Sequence, residues 1–518
     1  MKIYKNIYKY LIVTVFLAGV TLILFQFVIQ KKEEGQAAFE SYCASCHVLP
    51  NPSDLPKTVW DKYLLPEMGA RLGIKTPGYD PFKRLDMEES FYLKNTNTYP
   101  ETPQIKAADW AQLKKYILKH APDSLDLSRS KIPNPLKLKQ FKALLRSVDQ
   151  RPGAFVTCLN YQPSQKNLVI GNAYGELYSW KNFKEYELTH TFGSPIVNFI
   201  QEGNKEYVTE VGFLHPTDNP LGKLWIKESG KPIQRIEQLQ RPVHSLNIDL
   251  DGDGKDEILV SEFGNNRGKI SLISWHKSQK KYVQSVLLMM PGVVRILAED
   301  MDGDHKKDLV FLSTQGNEAL HILYNRGNLK FSLKTILRFS PGHGSSWFEL
   351  FDYDKDGDLD LALVNGDNAD YSVTLKPFHG LRIYLNQGSN RFKEVLFYPM
   401  HGATRLIASD FDQDKDIDFA ITSFFTDWEN TPEQSFVYLE NQKSTSYKFQ
   451  AYTFPEAAEG EWMVMESGDF DQDGDLDLVL GSCIKASASW SLLNRWKSQN
   501  VDIIFLENTL KSSRKRNL

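Results

Sequence analysis

Cysteine is nearly missing from this chain: four thiols, Cys43, Cys46, Cys158 and Cys483, serve 518 residues. That excludes a disulfide-built scaffold, and the length is too great for one compact core, so more than one domain is expected. No sign of charge prevails either, with 61 Lys and Arg against 65 Asp and Glu for a net of −4, so no nucleic-acid partner is expected. Nucleotide-loop and flavin fingerprints are absent, and Cys-x-x-Cys-His occurs once, at 43–47.

Long apolar runs are lacking after residue 29, but residues 11–29 form one, broken only by Thr14, Thr21, Gln26 and small residues. That length can span a bilayer core. Lys2, Lys5 and Lys9 precede it, so residues 1–32 are read as a cytoplasmic stub and a single transmembrane anchor, with the rest of the chain extracytoplasmic, on the periplasmic side of the cell membrane. The exit, "FVIQKKEEG", offers no small-x-small cleavage site.

Cys43 and Cys46 supply thiols for thioether bonds to haem, and His47 an imidazole for iron. Gly35, Phe39 and Cys43 are spaced by four, on one face of a helix leading into the clamp. The stretch 107–122 carries Trp110, Leu113, Tyr116 and Ile117 on one stripe and ends at Pro122. Gly35 lets these two helices approach closely. For the distal ligand, Met68 stands between Pro66 and Gly69 on a segment expected not to be regular helix, where it can approach iron. Met87, at an expected helix start, and His120 are the alternatives. Gly-xxx-Phe-xxx-Cys-x-x-Cys-His followed by an aromatic helix resembles class I cytochromes c over residues 33–123. The resemblance implies one covalent haem c and electron transfer, with a redox partner protein or a membrane electron carrier. Haem c is attached outside the cytoplasmic membrane, which agrees with the topology read from the lysines.

Beyond a linker at 124–138, a period organises the chain. Five acidic segments recur 51 to 59 residues apart, starting at Asp249, Asp300, Asp352, Asp410 and Asp469. Positions 1, 3, 5 and 9 are carboxylates throughout: Asp249, Asp251, Asp253 and Glu257; Asp300, Asp302, Asp304 and Asp308; Asp352, Asp354, Asp356 and Asp360; Asp410, Asp412, Asp414 and Asp418; Asp469, Asp471, Asp473 and Asp477. Such oxygen arrays suit Ca²⁺, up to five ions, and would repel one another without a cation. An EF-hand is excluded because position 12, where it needs glutamate, is apolar in all five: Val260, Phe311, Leu363, Ile421 and Leu480.

Each loop enters a short apolar run, as a strand buried on both faces reads, and a second strand follows. Four repeats add a third, at 282–287, 331–337, 392–398 and 448–454. With the run before the loop this makes four strands, a propeller blade. The pattern resembles the FG-GAP (VCBS-type) repeats of integrin-like β-propellers, in which this loop binds Ca²⁺. Two weaker units, from Phe155 and Pro195, bring the count to seven but lack the acidic loop. His305 and Lys415 replace the usual glycine at position 6.

The expected fold is thus multidomain: a transmembrane helix, a small all-α cytochrome c domain, and an all-β seven-bladed propeller over 139–518 with a basic C-terminal tail. The seventh blade lacks a last strand before that tail. Residues 139–148 are expected to supply it, pairing 141–145 with 503–506. Five residues before each loop stand His244, Arg295, Trp347, Arg405 and Val464, expected to face the central channel. The mostly apolar set one residue later should pack between blades. His343 and His401, each followed by glycine, join Arg241 in an expected cationic mouth. These residues, Arg241, His244, Arg295, His343, His401 and Arg405, are candidates for binding or catalysis. The leading expectation is an electron-transfer protein with a recognition propeller rather than a catalyst. The alternatives are an oxidoreductase, by analogy with cytochrome-fused propeller dehydrogenases, and an adhesion or docking scaffold.

Overall fold

The computed structural model describes residues 32–510 except 84, 131–133, 369–373, 444–446 and 486–487. The apolar run at 11–29 and the basic tail at 511–518 lie outside the described residues. Among those described, no helix is long and apolar enough to cross a membrane.

Seven sheets make the propeller. In each, the innermost strand alternates between buried and half-buried residues, whereas the second is buried along nearly its whole length. That is why the run after each acidic loop reads as continuously apolar. The residues one past the channel set pack between blades as expected: Phe348 lies with Val310 and Leu312 of the preceding blade, and Leu406 with Ala362 and Val364. Blade seven closes as its missing strand requires. Phe141–Arg146 runs antiparallel to Ile503–Asn508, with Ala143 opposite Leu506 and Leu145 opposite Ile504. Phe141 fills the seam between blades six and seven against Phe411 and Tyr438.

Two features depart from the expected pattern. The segment read as linker already holds the short strand Leu136–Lys137, parallel to the edge of blade six, so that blade has five strands. Its backbone groups complete an otherwise open edge, and the apolar Leu138 beside them is buried. Helix Trp490–Gln499 interrupts blade seven, capped by Ser489, whose hydroxyl accepts from the Leu492 N–H. Its Trp496 is buried beside Trp428.

The N-terminal region is helical: α1 (Gln36–Cys43), α2 (Leu65–Arg71), α3 (Met87–Lys94) and α4 (Ala107–His120). Gly35, at φ +86°, stands where a Cβ would run into the Gln112 carbonyl, so α1 can start only there against α4. Phe39 packs on Tyr116 at 5.3 Å over a core of Trp60, Trp110, Leu113 and Ile117.

Alternation of antiparallel strands puts the acidic loops on one face of the disc and the second-to-third-strand connections on the other. The helical region docks on that second face, over blades two and three. Arg71 donates to Asn266 at 2.8 Å, and the buried Glu89 accepts the Asp218 N–H at 2.8 Å. Arg267 lies over the Tyr92 ring at 4.2 Å and donates to its hydroxyl.

Candidate functional sites

At the clamp, α1 ends on Cys43, which is half-buried, while Cys46 is exposed. Burial pushes the Cys43 thiol up to about 12. His47 Nδ1 lies 2.8 Å from the Val48 carbonyl, which can only accept, so Nδ1 carries the proton and the Nε2 lone pair is left for a metal. This tautomer fits an iron ligand.

Met68 corrects an expectation. It lies inside α2, a regular helix, and is half-buried. Pro66 follows the π-helical turn Trp60–Leu64, which runs on into α2, and Gly69 admits the Trp110 ring. Met87 begins α3 and is 87% exposed. His120 Nε2 is held at 2.8 Å by Glu33.

The five acidic loops share one backbone. Position 6 has φ between 66° and 94° in all of them, His305 and Lys415 included, and its N–H donates to the position-1 carboxylate at 2.9–3.1 Å. The missing glycines therefore leave the geometry unchanged and cost conformational strain instead. Carboxylate oxygens of positions 1, 3 and 5 converge within 4.8 Å in blades four, five and seven; in blades three and six, positions 1, 3 and 9 do. In each loop the converging oxygens come from three of the four carboxylate positions. Asp308, Asp360 and Asp477, outside the clusters, and Asp418, inside one, are each buried at a strand start and accept the position-2 N–H and that of Asn325, Asn386, Asn508 or Asn441. Asp253, outside the cluster of blade three, pairs with Lys255 at 2.8 Å, as Asp304, inside that of blade four, pairs with Lys306 at 2.7 Å. Burial pushes Asp418 up to about 7 and Asp477 up to about 8, and a cation nearby would favour their ionised forms.

The loops are also tied around the ring. Asn325 Nδ2 donates to the Leu250 carbonyl of the preceding blade, Asn390 to that of Met301, and Asn508 to that of Phe411. Tyr161 closes the circle onto the Asp469 carbonyl at 2.7 Å.

In all seven innermost strands a β-bulge falls at the same place and is followed by the same register position: Cys158, Asn198, His244, Arg295, Trp347, Arg405 and Val464. The bulge re-aims these side chains toward the axis. Arg295 forms a two-pronged pair with Glu349 at 2.5 and 3.1 Å. Both Arg295 and Arg405 lie on the Trp347 ring, at 4.1 and 3.7 Å. Burial, with the two guanidiniums nearby, pushes His244 down to about 3. Cys158, Asn198, Glu349 and Glu466 were not among the sequence candidates. The first two precede blades without an acidic loop to align on, and the glutamates are two residues further along the strands, on the same face.

The mouth on the docking face splits into two groups. His343, His401 and a further buried histidine, His379, gather near Lys376, and burial lowers all three, His343 to about 4. They are neutral at pH 7, so the expected cationic mouth owes its charge to other groups. Arg241 donates to the Leu214 carbonyl at 2.7 Å and neighbours His215, Lys485 and Asp367.

Comparison with known families matches the FG-GAP-like repeat over residues 300–363 and 410–480, each running from one acidic loop through the second strand of the next blade. The chain carries FG-GAP repeats on a seven-bladed β-propeller. No curated protein matches. Among solved structures, the N-terminal domain of Nup159 is similar at 10% identity and TM-score 0.39, over 73% of this chain and 97% of that one. BBS1N in complex with ARL6DN is similar at 11% and 0.43, over 72% and 98%, and the Neurospora crassa Pan2 WD40 domain at 12% and 0.43, over 72% and 97%.

Proposed function

We propose that the protein is a membrane-anchored, extracytoplasmic mono-haem c-type cytochrome whose propeller is a calcium-binding recognition module. The observation that carries this reading is the His47 tautomer beside Cys43 and Cys46: the residues that would attach haem and ligate its iron come together with the ring proton on the correct nitrogen. The haem would supply one-electron transfer. α1 and α4 would brace the clamp, and Met68, on α2, would complete the axial pair. Calcium would sit among the converging carboxylates and hold them ionised.

A redox-enzyme reading is favoured by one further feature: the docked helical region and the histidine-bearing mouth share one face of the propeller. Reduced-minus-oxidised spectra of the purified protein, with and without candidate donors, separate the readings. A c-type spectrum is expected in either case, and haem reduction that depends on a substrate would favour the enzyme. Absence of covalent haem from protein made with haem-attachment machinery would end both. Met68→Ala should abolish the Fe–S charge-transfer band and lower the reduction potential. A band lost only in Met87→Ala would move the ligand there.

A further inference from the structure

We infer that the central channel binds a small carboxylate in the layer formed by Arg405, Trp347, His244 and Val464. The inference rests on an imbalance among partners. Arg295 is neutralised by Glu349 and also donates to the Phe348 carbonyl at 2.8 Å. Arg405 has no such carboxylate. Its Nε donates to the Met463 carbonyl at 3.2 Å, its plane lies on Trp347, and its two terminal nitrogens have no hydrogen-bond or ion-pair partner among the described residues.

A guanidinium enclosed by seven blades is costly to leave uncompensated, and burial beside Arg295 already pushes Arg405 down to about 9. Glu349 is near enough to Arg405 to offset part of this but is already engaged by Arg295, and Glu466, beside Arg295 and Glu349, is held up to about 7 by burial. Arg405 is only half-buried, as a channel-lining group should be.

The free edge is a planar fork, which matches the two oxygens of a carboxylate better than a spherical ion. His244 Nδ1, also without a partner, stands in the same layer as a further polar contact. One free cation suits a monoanion. This site does not depend on the electron-transfer reading; a chain that never took up haem would still carry it.

The test is a titration of the full-length protein in detergent, calcium present, with acetate replacing chloride at constant ionic strength, followed by melting temperature and calorimetry. A saturable rise with acetate is expected, lost in Arg405→Gln and weakened at least tenfold in Arg405→Lys, which keeps the charge but not the fork. An undiminished acetate response in Arg405→Gln would overturn the site, and an equal response of wild type to chloride would overturn the carboxylate. Should Arg405→Gln not fold, unchanged acetate affinity in Arg405→Lys overturns the proposal by itself.

Discussion

The two faces of the propeller are built on different rules. On the acidic face the same loop recurs five times with the same backbone, and asparagine side chains bind each loop to its neighbour. On the opposite face the connections differ in every blade: blade two has the docking loop around Asp218, blade five holds His379, and blade seven has a whole helix. The difference teaches that repetition serves cohesion of the ring, while individuality gathers docking contacts, histidines and the channel mouth on one side.

If the acidic face is the cohesive one, removing its cations should be the most damaging treatment. If calcium is bound as proposed, each ion at a hundredfold excess over Kd adds about 2.7 kcal/mol, so thorough chelation should lower the melting temperature sharply, and haem attached as proposed would stay on the chain. Calorimetry with metal analysis checks this, and an unchanged curve after verified metal loss would remove the distinction between the faces. Next in size is the seam at Phe141, which holds chain start to chain end. Phe141→Ala should cost about 3–5 kcal/mol in denaturant unfolding, since its ring is buried between two blades.

His244 probes the channel between the faces. It is neutral in the fold and resists protonation down to about pH 3, whereas the unfolded chain takes a proton below about 6.5. The stability it contributes is therefore present above pH 6.5 and lost as pH falls toward 3, by about 1.4 kcal/mol per unit. His244→Gln should remove that slope: its stability difference from wild type should change by about 2–3 kcal/mol between pH 6.5 and 4.5 in parallel urea titrations. The smallest effect tests how strictly the acidic face repeats. Lys415→Gly and His305→Gly relieve a left-handed residue and should each stabilise the calcium-loaded protein by about 1 kcal/mol, read as a shift in urea midpoint.

Much of this could be read from residue order alone, because it rests on short-range periodicity. Alternation and the recurring Asp pattern define blades, since strand faces repeat every two residues and a loop of fixed backbone demands carboxylates at fixed offsets. The count of seven and the closing strand at Phe141–Arg146 follow from the same logic, because an unpaired edge at one end of the chain must find a strand at the other. The helical face that brings Gly35 and Phe39 to Cys43 was legible for the same reason.

What the order of residues left open was decided by groups distant in sequence. In blades four, five and seven position 9 lies outside the acidic cluster and accepts N–H groups from third-strand asparagines 17 to 31 residues away, contacts that residue order does not announce. Met68 lies in a helix that continues from a π-helical turn, with Trp110 packed against Gly69, a contact between distant segments that residue order does not announce. The charge state of the channel and mouth was likewise undecided. Arg295 and Arg405 occupy the same register, but only the first meets Glu349, and the histidines are neutral because neighbouring blades bury them. Sequence determines which residues share a face; which of them find a partner, and so which cation is left over, is fixed only when seven separately written strands converge on one axis.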